Sequence, residues 1–174
     1  MNIFKRSQKI NSDFLFEKIM NHSKNTFDKN EMDFLQTPHP ENIQDFFELY
    51  KNLSSFKKSI FFDRFKEFVD NIEFREKQLK VNLFSQSLIR MCLKNIDDLI
   101  ISCTDNYGFN THLFFVLFDA SEKFSMSDDF KRDIIKSYNY HTKNEIGSSA
   151  IVKPYFDMKK EEMGYGPFQK KNSL

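Results

Sequence analysis

Residues 113–118 read LFFVLF, six consecutive apolar positions in a chain that elsewhere changes between apolar and polar every two or three residues. A segment that is apolar all round has to be surrounded, which places it at the centre of the fold. Its flanks extend the pattern to NTHLFFVLFDASEKF, residues 110–124. Phe114, Leu117, Phe118 and Phe124 recur there at helical spacing, and Asn110 or Thr111 can serve as N-cap. The amphipathic segments before and after are expected to wrap around this hub.

Upstream, Ser12 offers a cap for a helix carrying Phe14, Leu15, Ile19 and Met20, and a second short helix is expected over residues 27–36. Thr37-Pro38-His39-Pro40 is the clearest punctuation in the chain, and Pro40 suits the first turn of a helix over 40–52. Phe56, Ile60, Phe61, Phe65, Phe68 and Ile72 then form a long stripe, with Lys57, Lys58, Asp63, Lys66, Glu67 and Asp70 mostly on the other side. Phe74, Val81, Phe84, Leu88, Met91 and Cys92 repeat the pattern. Residues 97–118 admit two readings, because short apolar runs do not distinguish strand from helix by period alone. A helix pair is preferred to a hairpin, since every other segment has the helical period and an isolated hairpin is unstable. Ser127 followed by Asp128 and Asp129 reads as an N-cap with acidic first-turn residues, and a last helix is expected within 148–163.

The expectation is an all-α single domain over residues 1–174, of about seven or eight helices around the central apolar one, with flexible ends at about 1–11 and 164–174. The alternative is an α+β fold with a hairpin near 97–118. The chain is long enough for one core, and its 22 Phe, each burying a large area, compensate for a modest 40% of hydrophobic residues. Cys92 and Cys103 are too few for a disulfide framework and are expected as reduced, buried thiols. The first residues, MNIFKRSQKINSDF, do not read as a signal peptide, and no run approaches the roughly 18 apolar residues of a membrane span. A cytoplasmic protein without membrane association is expected.

Net charge is +1, so no whole-domain basic footprint for direct nucleic-acid binding is present. The charge is unevenly placed, however. Between Asn95 and Asp129 seven carboxylates face Lys123 alone, a local −6, so the remainder carries about +7. Asp105 stands beside Tyr107 in the expected turn, an acidic and aromatic combination.

Other chemistry is thinly represented. The Cys and His residues show no metal-ligand spacing, and no cofactor motif occurs. Four glycines leave little to cradle a phosphate. Cys103, His112 and His141 are the residue types a nucleophilic site would need, without a recognisable arrangement. Asp97-Asp98 and Asp128-Asp129 diverge by about 100° on a helix and so act as separate surface charges.

The functional expectation is therefore a non-enzymatic protein-binding protein, with no catalytic residues, no metal and no cofactor. Its sharpest form is an inhibitor or immunity-type protein whose acidic face, Asp97, Asp98, Asp105, Tyr107, Asp119 and Glu122, covers the basic surface of a partner such as a nuclease toxin. The rival readings are a small enzyme or ligand sensor with a pocket between helices, and a helical oligomeric scaffold.

Overall fold

The computed structural model describes residues 11–21, 27–103, 109–143 and 152–164. Among these residues there are nine helices and no strand: α1 (Ser12–Met20), α2 (Lys29–Gln36), α3 (Pro40–Lys51), α4 (Ser55–Asp70), α5 (Arg75–Lys94), α6 (Ile96–Ser102), α7 (Phe109–Lys123), α8 (Asp128–Thr142) and α9 (Val152–Glu162). The fold is all-α. The segment left open by its sequence is a helix pair, α6 and α7, and the hairpin alternative does not occur.

Local signals set most boundaries. Asn11 rather than Ser12 caps α1, accepting from the Phe14 amide. Asp28 and Glu31 close a reciprocal capping box at α2, and Pro40 occupies the first position of α3. Ser54 and Ser127 cap α4 and α8. Pro154 is the third residue of α9, within the first turn, where helix amides lack an intrahelical acceptor and the missing N–H costs little. Helix α7 begins at Phe109, so Asn110 and Thr111 lie inside it instead of capping it.

The other end of α7 is a Schellman motif. The Met126 amide donates to Ser121 O at 2.9 Å and the Ser125 amide to Glu122 O at 3.1 Å. Ser125 takes the left-handed conformation this motif demands, φ 53°. Gln86 of α5 donates to the Phe124 carbonyl at 2.7 Å and so helps terminate the helix.

The centre of the molecule is shared by two helices. α7 packs against α4, α5, α6, α8 and α9, and α5 packs against α2, α3, α4, α6 and α7. Leu113, Phe114, Val116, Leu117 and Phe118 of the opening stretch are buried, with Phe115 half-buried. The core is a network of phenylalanine rings. Phe65 alone faces Phe46, Phe61, Phe68, Phe84 and Phe124 with centroids between 5.7 and 6.5 Å. Such pairs add about 0.5–1.5 kcal/mol each beyond the area they bury. A second group on α7, α8 and α9 stacks Tyr138 on Phe156 at 4.2 Å and sets Phe118 edge-on to Phe156 at 5.8 Å.

The face that α4 turns inward differs from the expected stripe. Phe56 is 73% exposed, while Lys58, expected outside, is fully buried beside Phe61, Phe62, Phe65 and Val69. The Lys58 stem supplies apolar packing, and its Nζ donates to the Leu53 carbonyl at 2.5 Å. Lys18 and Glu31 form a well-shielded ion pair that ties α1 to α2 at 2.7 Å. No helix among the described residues is long and apolar enough to cross a membrane.

Candidate functional site

A short turn makes α8 run back along α7, so that Phe114, near the start of α7, meets Tyr138 and His141 near the end of α8, with centroids 5.8 and 5.4 Å apart. This arrangement divides the acidic residues of the sequence into two places.

Asp97 lies in the first turn of α6, where a carboxylate suits the positive helix end. Its Oδ1 is 2.7 Å from His141 Nε2, and His141 Nδ1 is 2.8 Å from Ser137 O. Asp98 is exposed beside it. Asp105 and Tyr107 lie outside the described residues.

Asp119 and Glu122 sit farther along α7, about 7.5 and 12 Å beyond Phe114 at 1.5 Å per residue. Here the structure assembles a group that the sequence did not reveal. Lys123 is shared by Asp119, at 2.6 Å, and Asp63 of α4. Lys159 of α9 is shared by Glu122, at 2.8 Å, and Glu162, at 3.2 Å. Four carboxylates thus surround two ammonium groups, a net −2 drawn from three helices. Asp128 and Asp129, by contrast, pair locally with Lys131 and Arg132 on α8.

Aromatic rings lie against this acidic group. Tyr155 of α9 is half-buried, edge-on to Phe115 at 4.6 Å and Phe118 at 6.0 Å, and Lys159 lies 5.5 Å above its ring. His112 continues the strip, stacked on Phe115 at 5.3 Å. Burial pushes the Tyr155 hydroxyl above the usual tyrosine range, and the charges of Glu122, Asp119 and Glu162 push it further. The phenol therefore remains a neutral hydrogen-bond donor in a negative field. Partial burial pulls down the ammonium groups of Lys123 and Lys159, but hydrogen bonds to their carboxylates outweigh it and hold both above the ordinary lysine value.

Each residue singled out for other chemistry has an identified environment. Cys103 is buried, with Sγ donating to Leu99 O at 3.1 Å. Cys92 is buried as well, and desolvation drives its thiol far above the usual range despite the neighbouring Lys58 charge. Neither thiol forms a disulfide. Burial lowers the His112 imidazole below its ordinary value. No group of three or more His, Cys, Asp or Glu that could hold a metal ion occurs among the described residues.

No family model matches the chain, and no curated protein or solved structure shows significant similarity to it. The functional reading therefore rests on the geometry of this face.

Proposed function

We propose that the chain is a non-enzymatic protein-binding protein that seats a basic partner on the α4–α7–α9 face. One observation supports this reading above others. Asp63, Asp119, Glu122 and Glu162 outnumber the two lysines they hold, directly beside the half-buried rings of Phe115 and Tyr155. An aromatic anchor next to net charge of one sign combines the two features that give interfaces affinity and steering. The sharpest form of the proposal is an inhibitor or immunity-type protein that covers a basic active site, such as that of a nuclease toxin. Asp97 and Asp98 stand at a separate position and contribute long-range field rather than direct contact.

The test is capture from a lysate of the source organism at low salt, with wild type and with Asp119→Asn/Glu122→Gln as bait. The reading predicts a basic protein retained stoichiometrically by wild type, released by salt and lost with the variant. Equal retention by both baits would refute the role of this face.

A further inference from the structure

Helix α5 is buried along one side only. Val81, Phe84, Ser85, Leu88, Ile89 and Cys92 turn inward. The opposite stripe carries Leu79 and Leu83, each 53% exposed and one turn apart. Arg75, Lys80, Arg90 and Lys94 are exposed in the same sector, against the single carboxylate of Glu76, which pairs with Lys80 at 3.0 Å. Four cations and one anion give this stripe a charge of +3. At about 100° per residue these positions, with Leu79 and Leu83, fall within an arc of about 140° opposite the buried stripe.

We infer that this stripe docks on the acidic face of a second copy of the same chain. The inference rests on reading the α4–α7–α9 face as a protein-binding surface, and it names a partner for it. The two faces complement each other in charge, +3 against −2, and each presents apolar groups, Leu79 and Leu83 on one side, Phe115 and Tyr155 on the other. Matched potentials of this kind orient an encounter and fix its register. Because two different patches meet, the contact is head-to-tail, and copies add in a row or close into a ring. A 20-residue helix is about 30 Å long and 10–12 Å wide, so the stripe offers roughly 300 Å², well below the ~800 Å² per partner of a stable complex. The association is therefore weak, rises with protein concentration and is dismantled by salt.

Sedimentation velocity of the full chain tests this directly. At low salt the sedimentation coefficient of wild type should rise with concentration, and at high salt it should remain that of a monomer. Lys80→Gln/Arg90→Gln and Asp119→Asn/Glu122→Gln should each stay monomeric at low salt, with circular dichroism confirming their helix content. An equimolar mixture of the two variants retains one intact face of each kind and should form a one-to-one dimer and nothing larger. Wild type that stays monomeric throughout, or either variant associating like wild type, would overturn the inference. Failure here is distinguishable from failure of the proposed function, because Lys80→Gln/Arg90→Gln keeps the acidic face and should still capture the basic partner.

Discussion

His141 Nε2 stands 2.7 Å from Asp97 Oδ1 and joins the last turn of α8 to the first turn of α6. The other ring nitrogen faces the Ser137 carbonyl at 2.8 Å, so both nitrogens meet oxygen acceptors. Only the imidazolium, with two N–H groups, donates to both. Because the Asp97 side chain is 81% exposed, water screens the pair and it is worth no more than about 1 kcal/mol. Asp97→Asn should lower stability by no more than about that amount in urea denaturation.

His112 makes stability depend on pH. Burial lowers its imidazole, so the folded protein binds this proton less readily than the unfolded chain. Its contribution to stability is present above about pH 6.5 and declines as pH falls below that value. Urea denaturation on either side of this pH should show the loss, and His112→Gln should remove this part of the pH dependence.

Ser125 holds a positive φ of 53° where helix-terminating motifs favour glycine. A non-glycine residue there costs roughly 1–2 kcal/mol, offset in part by the greater entropy glycine loses on folding. Ser125→Gly should therefore stabilise the protein by about 0.5–1 kcal/mol in thermal unfolding. A loss of stability would show that the Ser125 side chain contributes more than its backbone strain costs.

Lys58 is a long side chain used for packing. Lys58→Ala removes the buried stem and leaves Leu53 O without its donor, so a cost of about 2–4 kcal/mol is expected in urea denaturation. Lys58→Met keeps the volume and removes a buried amine, and should be clearly less destabilising than Lys58→Ala.

That residue also marks a limit of the sequence reading. In SFKKSIFFDRFKEFVD the apolar side chains occupy more than one sector of the helix, so periodicity alone leaves the phase of α4 open. Treating Lys58 as polar tilted the stripe toward Phe56, which the fold leaves in water. Where one period dominated, at Ile43, Phe46, Phe47 and Tyr50 of α3 or Ile134, Ile135 and Tyr138 of α8, the inward residues were legible from spacing. The candidate face was half legible. Asp119 and Glu122 lie in the acidic window, but counting charge along the chain does not reveal that Asp63 and Lys123, 60 residues apart, share an ion pair. Nor does it show that Lys159 closes on Glu122 from 37 residues away. The same window grouped Asp97 with Asp119, which the packing of α8 on α7 places at different points along the molecule.

The central claim is that the α4–α7–α9 face receives a basic protein, and association kinetics with the captured partner test it most directly. Steered encounters gain one to three orders of magnitude in rate and lose it as ionic strength rises. The account predicts that the association rate falls steeply with salt for wild type, and that Asp119→Asn/Glu122→Gln lowers it at low salt while Asp128→Asn/Asp129→Asn on α8 changes it little. A rate that is the same for wild type and Asp119→Asn/Glu122→Gln at low salt would contradict the account.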